Sequence, residues 1–444
     1  MKGQVAVIGG KQYTLNPLDP AQLIAIGGEA EIYKIENHAL KWFKAPDHPE
    51  FEGDKEKIAL ATKRIAELAQ KLPDLHAICG GLTGVNAVLP IELAYTPGRK
   101  VGGYLMEFLD NCVNLRQLKT PALRKKVPHE IVTELFRKIH EGYRALHAAG
   151  IIQGDANELN FMINLDEKIP WFIDMDSAQF GNYPCRVFTK NYVDPRICDQ
   201  KKDFPEQERP HDALSDWYAF DVLLFQTLLM MHPLIGGKHI PKKKGVLAIG
   251  KDARIMRGIS VYHHEVVIAD LVQDGIAFHW KTLPDELNHH FEEVFARRKR
   301  GEFPRALLEG LVWKACSSCG TIHARNTCPD CLTAASAAIK EQIITHGTVT
   351  VQRVFKTSGD VVAFTMRGGK PLYGYTENGK LLRENNQIAG DTPMHTLVRY
   401  GIAGDRTLFA EHNILSVKSP SAPTRTHIVD SFRGTPVFAT NGSR

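Results

Sequence analysis

The stretch from Asp216 to Met231 is apolar nearly all round a helical wheel, and no other segment constrains the fold as much. A helix without a polar face cannot lie on a surface, so other elements must enclose it. The chain therefore needs a helical region thick enough to bury it, and the pattern from about residue 111 to 313 supplies one. There, Ile131, Leu135, Ile139, Tyr143 and Leu146 fall on one face of a long helix. Residues 1 to about 110 have another texture. Leu23 to Ile35, Ala39 to Lys44 and Val101 to Leu109 read as strands. Phe51 to Leu72 reads as one helix, with Ile58, Ala61, Ile65, Leu68 and Leu72 at helical spacing. The expectation is an α+β protein: a small sheet-rich part, 1–110, followed by a larger helical part, 111–313.

Beyond residue 313 the pattern changes twice. Of eight cysteines, Cys79, Cys112, Cys185 and Cys198 are scattered, whereas Cys316, Cys319, Cys328 and Cys331 sit within sixteen residues. A disulfide scaffold spreads its cysteines through a short secreted chain, so this clustering reads as metal binding in a reducing compartment. Two Cys-x-x-Cys knuckles place four soft thiolates on one tetrahedral ion, which favours zinc in a small ribbon over 314–333. His323 between the knuckles reads as a loop residue, because four sulfurs already close the shell. A short helical stretch near Ala334 to Ile344 precedes an all-β region, 345–444. It holds short runs such as Val349 to Phe355, Val361 to Met366, Leu372 to Tyr375, Lys380 to Leu382, Thr396 to Tyr400, Thr407 to Ala410 and Ile428 to Phe432. Asn378-Gly379 between two of them is a hairpin signal. A sandwich, a barrel and propeller blades all fit this spacing.

Charge excludes little. The formal net charge of +5 over 444 residues permits an acidic or nucleic-acid partner without arguing for one. The basic runs Lys242 to Lys244 and Arg297 to Arg300 read as solvated surface. No apolar run reaches the roughly 20 residues that span a bilayer, and Met1 to Gly10 lacks the layout of a secretion signal. The expected setting is cytoplasmic, without membrane contact.

Five segments bring polar residues together in an order that phosphate chemistry requires. Ala25-Ile26-Gly27-Gly28-Glu29-Ala30 lies between two strands, and its small residues let the backbone pass close to triphosphate oxygens. Lys41, inside the next apolar strand, reaches toward phosphates and needs an acidic partner. Glu56 on the following helix is the best placed, with Glu52 second. Gly154-Asp155 follows the long helix; Asp155 can accept a proton from a hydroxyl, and Asn160, five residues on, can hold a metal beside it. Asp174-Met175-Asp176 ends an apolar strand fourteen residues past Asn160 and offers hard oxygen ligands for magnesium, either carboxylate serving as the main one. Finally, Ser215 or Asp216 can cap the buried helix, or Asp216 can hold the backbone of the Asp155 loop.

In this order the segments resemble the protein kinase superfamily over roughly residues 20 to 310, in the variant of bacterial and phage Ser/Thr kinases that carry Gly-Asp-x-Asn-x-x-Asn and Asp-x-Asp-Ser motifs. The resemblance implies a bilobal kinase-like fold with ATP and Mg2+ as cofactors. It implies Lys41 as the strand lysine, Glu56 as its helix partner, and Tyr104-Leu105-Met106-Glu107-Phe108 as the adenine hinge. Asp155 takes the place of the catalytic aspartate, Asn160 of the metal asparagine and Asp174 of the metal aspartate. Tyr192-Val193-Asp194-Pro195-Arg196 stands where Ala-Pro-Glu belongs. The departures are instructive. Gln153-Gly154 replaces His-Arg, removing the arginine that reads activation-loop phosphate. Asp176 replaces a glycine. Asn157 replaces the lysine that steadies the transferring phosphate, which weakens the case for a protein substrate. The set Lys41, Asp155, Asn160 and Asp174 is complete, as an active phosphotransferase needs. A Ser/Thr protein kinase is the first expectation. A small-molecule hydroxyl kinase and a non-catalytic ATP-binding scaffold, recruiting partners through its zinc ribbon and β tail, are the alternatives.

Overall fold

The computed structural model describes residues 4–124, 126–241, 247–273, 275–331, 355–357, 359–377, 379–384, 387–391, 398–411, 413–420, 422–432 and 435–440. The chain divides into two compact units, Met1–Ser336 and Ala337–Arg444. The cysteine cluster thus belongs to the first unit rather than forming one of its own.

The first unit opens with a seven-stranded antiparallel sheet. Its strands are β1 (Gln4–Ile8), β2 (Lys11–Leu15), β3 (Leu23–Ile26), β4 (Ala30–Ile35), β5 (His38–Phe43), β6 (Glu92–Tyr95) and β7 (Val101–Glu107), in the order β2-β1-β6-β7-β5-β4-β3. Alternation drives it: Tyr33, Leu40 and Trp42 bury toward one cluster, while Phe43 and Tyr104 bury with Leu68 and Leu72 of the helix α1 (Lys55–Cys79) toward another. The helix begins later than its apolar spacing predicts. Gly53 has φ +80°, and Asp54 caps the first turn by accepting the Lys57 N–H at 3.0 Å. It also runs past Pro73, beyond the expected end at Leu72.

The helical part is built on α3 (His129–Ala148), which follows the short α2 (Pro121–Arg124), and on α4 (Ala213–Leu229). The second of these is the all-apolar helix, and Trp217, Phe220, Leu224, Phe225 and Leu228 are all buried in the largest core cluster. Each such side chain contributes about 1.5–3 kcal/mol by leaving water. Its cap is Asp212, not Ser215 or Asp216. The Asp212 carboxylate accepts the Ser215 N–H at 2.9 Å, and the Ser215 hydroxyl accepts the Asp212 N–H at 3.0 Å. Asp216 is thereby freed for another task. A three-stranded sheet pairs β8 (Cys112–Asn114), which precedes α3, with β9 (Phe161–Asn164) and β10 (Ile169–Phe172), which follow it; Asp155 lies in the loop before β9 and Asp174 just past β10.

The basic run Arg297 to Arg300 is the solvated face its composition predicts only in part: Arg298 and Lys299 are exposed. The Arg300 side chain is 8% exposed and makes a two-pronged pair with Asp194 at 2.9 and 2.8 Å, its guanidinium 4.4 Å from the Tyr218 ring. Asp194 is a buried carboxylate in a tight turn; the Arg300 fork reaches both its oxygens, and the Arg196 N–H donates to one of them at 2.9 Å. The other run, Lys242 to Lys244, lies outside the described residues.

The second unit, as far as it is described, is β throughout. Val361–Arg367, Lys370–Glu377, Lys380–Arg383 and Ile388–Asp391 form one four-stranded antiparallel sheet. Arg399–Ala403, Arg406–Glu411, Ile414–Ser419 and Ala422–Ile428 form a second, and Ser431–Phe432 pairs with Thr435–Pro436. Glu377 pairs with Lys380 across a two-residue turn in which Gly379 has φ +74°, as the hairpin signal requires; Asn378 itself lies outside the described residues. So do the stretch Ala334 to Ile344 and most of the run Val349 to Phe355. No helix among the described residues is long and apolar enough to cross a membrane.

Candidate active site

The site begins with a lysine held by two aspartates. On β5, Lys41 pairs across the ladder with Tyr104 of β7. Its ammonium bonds the carboxylates of Asp174 and Asp176, the latter at 2.6 Å, and the Tyr104 hydroxyl donates to the same Asp176 oxygen at 2.9 Å. The two carboxylates differ in setting. Asp174 stands at the mouth of β10 in the left-handed region, φ +62°, with its side chain 35% exposed. Asp176, two residues on in a tight 3-10 turn, is fully enclosed. Burial raises the Asp174 carboxyl above its ordinary value even beside Lys41. For Asp176, burial pushes the same way, but the Lys41 charge and hydrogen bond, Arg64 and the Tyr104 hydroxyl outweigh it and hold the carboxyl low. The Lys41 ammonium, buried with both, is correspondingly kept charged.

Glu56, expected as the partner of Lys41, does not serve. Because α1 starts at Lys55, Glu56 falls in its exposed first turn, as Glu52 falls outside the helix altogether. The α1 residue that faces the site is Arg64, eight positions and so about 12 Å further along the axis. Arg64 bonds Glu29 of the turn between β3 and β4, and lies 3.9 Å from Asp176. In that turn the Gly27 N–H bonds the Ala30 carbonyl at 2.8 Å, and Gly27 and Gly28 are exposed.

The second half of the site is the loop after α3. Here Asp216 takes up its freed role. Its two oxygens accept the backbone N–H groups of Gln153 and Gly154 at 2.8 and 2.9 Å, and one lies 3.0 Å from His147 Nε2. Two backbone donors on one carboxylate leave the loop a single position. Gly154 has φ +76°, and a Cβ there would sit 2.7 Å from Cys185 Sγ. Gly154→Ala is therefore expected to destabilise the fold by about 1–3 kcal/mol, read as a lower urea midpoint with an unchanged m-value. The Asn160 amide donates to the Asp155 carbonyl at 2.8 Å, and the Asn160 carbonyl accepts the Ile173 N–H at 3.0 Å, which ties the Asp155 loop to the strand that ends in Asp174. The Thr189 hydroxyl bonds the Asp155 carboxylate at 2.9 Å.

The structure therefore brings Lys41, Asp174 and Asp176 into direct contact and locks Asp155, Asn160 and Asp174 into one frame. Glu107 and Phe108 close β7 on the same ladder, where Glu107 pairs with His38, and Phe108 carries the Lys34 ammonium 4.4 Å from its ring. Tyr104 faces Asp176 rather than joining them. Residue-by-residue reading missed Arg64 and Thr189, gave Glu29 only to the glycine turn and gave Tyr104 to the hinge rather than to Asp176. Nothing in their spacing marks them, since each reaches the site by a long-range contact.

No family model matches the chain. Over 150 residues it is 27% identical to a protein named protein kinase YegI from Escherichia coli O157:H7, and over 155 residues 26% identical to the protein of that name from strain K12. The chain has a kinase-like relationship. Each match takes in 32% of this chain and 22% of the relative's length, so it supports a phosphotransferase of the kinase kind and carries no substrate with it.

A separate centre lies at the end of the first unit. The sulfurs of Cys316, Cys319, Cys328 and Cys331 all lie within 4.8 Å of one another, with Cys316 and Cys331 3.6 Å apart and Cys319 and Cys328 3.5 Å apart. Tetrahedral zinc with bonds of about 2.3 Å wants sulfurs about 3.8 Å apart, so the four thiols fit the ion. His323 is not among them; it is buried and its Nδ1 accepts the Arg325 N–H at 3.2 Å.

Proposed function

We propose that the first unit is an ATP- and magnesium-dependent phosphotransferase, a protein kinase of the bacterial Ser/Thr type, with Asp155 as the base that takes the proton of the attacking hydroxyl. The observation that carries this reading is the Lys41–Asp174–Asp176 cluster framed against the Asp155–Asn160 loop. A cation flanked by carboxylates, beside a glycine turn and a second aspartate, suits holding and transferring a phosphoryl group.

Each residue has a physical task. Lys41, held by Asp176, presents positive charge to phosphate oxygens. Asn160 spends its amide N–H on Asp155, which leaves its Oδ1 as an acceptor for a metal; Asp174 engages Lys41 through one oxygen and offers the other. Hard oxygens of this kind suit magnesium, whose charge offsets that of the phosphates. The buried Asp176 Oδ2, without a hydrogen-bond partner, faces the same requirement for a cation. Gly27 and Gly28 let the strand turn approach the nucleotide, and the ends of β7 at Glu107 and Phe108 meet the base. The Cys316, Cys319, Cys328 and Cys331 centre holds structural zinc. Cytoplasmic location fits free thiols at Cys79, Cys112, Cys185 and Cys198.

The test is transfer from radiolabelled ATP with magnesium to the chain itself and to a generic protein substrate. Label on serine or threonine, reduced about 10²–10⁴-fold by Asp155→Asn, is the expected result. Turnover with a metabolite hydroxyl alone moves the reading to a small-molecule kinase, and nucleotide binding unaffected by that substitution, without transfer, moves it to a scaffold.

A further inference from the structure

Beside the cluster, on the far side of Asp176, lies a cavity of about 260 Å³ whose lining includes Glu29, Arg64, Lys71, Asp176, Ser177 and Arg186. Its charges do not balance. Asp176 is paired with Lys41 through one oxygen and has Arg64 3.9 Å from the other, and Glu29 is paired with Arg64. What remains is Lys71, with Lys63 and Arg186 at the rim, against Glu67 alone.

Lys71 is the unusual member. It comes from the buried face of α1, where only 3% of its surface is exposed, yet among the described residues its ammonium makes no hydrogen bond or ion pair, and it lies 5.8 Å from the Phe180 ring. A lysine on a helix normally carries its charge out to water along its stem, and one that keeps it inside without a hydrogen-bonded counter-ion is disfavoured; Asp176 and Glu67 act on it only at longer range. Burial duly pulls its pKa down. An ammonium left unpaired at the wall of a cavity is a donor for something that enters it.

We propose that this cavity is a binding site for a phosphate monoester, distinct from the phosphoryl-transfer centre. An ammonium with three N–H donors and the Arg186 guanidinium fork match an anion with several equivalent oxygens and two charges better than they match chloride or a single carboxylate. The site rests on its own geometry and stands whether or not the neighbouring cluster transfers phosphate. The monoester comes either from a free ligand or from a phosphorylated hydroxyl of this chain.

Calorimetric titration of the purified full chain with inorganic phosphate, in the absence of nucleotide and magnesium, tests it. The chain is first treated with phosphatase, and its phosphorylation is mapped by mass spectrometry before and after. Saturable binding that Lys71→Met weakens about tenfold or more, that Arg186→Gln weakens in the same direction, and that Lys370→Gln in the second unit leaves alone, supports the site. If binding appears only after phosphatase removes a mapped phosphoryl group, the chain's own hydroxyl is the source; if it is present from the start, a free ligand is. A melting temperature of the Lys71→Met chain at or above that of the parent without phosphate, together with loss of the phosphate-dependent rise, is the companion result, since the substitution removes a buried unpaired charge. A chain that binds no phosphate before or after treatment, or binds it equally well as Lys71→Met, overturns the proposal.

Discussion

Asp174→Asn is expected to reduce phosphoryl transfer roughly 10³-fold while leaving the melting temperature nearly unchanged, and Asp176→Asn is expected to damage both. The contrast follows from burial. The Asp174 side chain is 35% exposed and shares Lys41 with a second carboxylate, so its loss removes a charge that faces the reacting groups and leaves the lysine paired. Asp176 is enclosed, and one of its oxygens receives both the Lys41 ammonium and the Tyr104 hydroxyl. Neutralising it weakens a buried ion pair, a change of about 3–5 kcal/mol when one partner is lost outright, and lets Lys41 drift from its aim. Transfer kinetics and chemical denaturation of the two variants, side by side, decide the matter. Stable Asp176→Asn protein with near-normal transfer, alongside unstable Asp174→Asn protein, would reverse the assignment of the two carboxylates.

The same pair shows how far the sequence carries. Lys41, Asp155, Asn160 and Asp174 stand out in the sequence because each lies within or beside an apolar element whose type can be read from periodicity, and their order along the chain is fixed. The buried helix was equally plain, since an apolar wheel admits only one environment. What could not be read was which carboxylate holds Lys41. The answer depends on where α1 starts, and that is set by Gly53 and the Asp54 cap rather than by the apolar spacing that suggested Phe51. Once the helix begins at Lys55, Glu56 is stranded at its exposed end and Arg64 faces the site. A carboxylate on α1 would have been redundant in any case, with Asp176 already beneath the lysine. Arg300 carried no signal of its own either. A basic run looks solvated until a buried aspartate more than a hundred residues earlier in the chain, Asp194, claims one of its members.

Stripping metal from the purified chain is expected to unfold the segment 314–331 while the rest of the first unit persists. This element has too little apolar surface to fold unaided: its secondary structure is two two-residue strands, Lys314–Ala315 and Ile322–His323, and helical residues 329–331. Its order comes from two sources. One is the thiol cluster, where zinc binding contributes an apparent ~10–16 kcal/mol in comparable small sites, a dissociation constant from tens of nanomolar down to picomolar. The other is docking onto the helical part. The Arg325 guanidinium donates to the Leu283 carbonyl at 2.9 Å and pairs with Asp285, while the Ala324 N–H bonds the Thr282 carbonyl at 2.9 Å. The Trp313 indole donates to the Thr133 hydroxyl at 3.0 Å and packs 4.2 Å from the His129 ring. The docking contacts are few and partly exposed, so they hold a preformed ribbon in place but do not form one. One equivalent of zinc per chain by elemental analysis is the expected content. A strong chelator, or Cys319→Ser, is then expected to open protease cleavage between Cys316 and Cys331 and to disturb Trp313, with the helical core still protected from hydrogen exchange. Metal-free protein with an unaltered cleavage pattern would show that docking alone orders the segment, and the four thiols would then need another explanation.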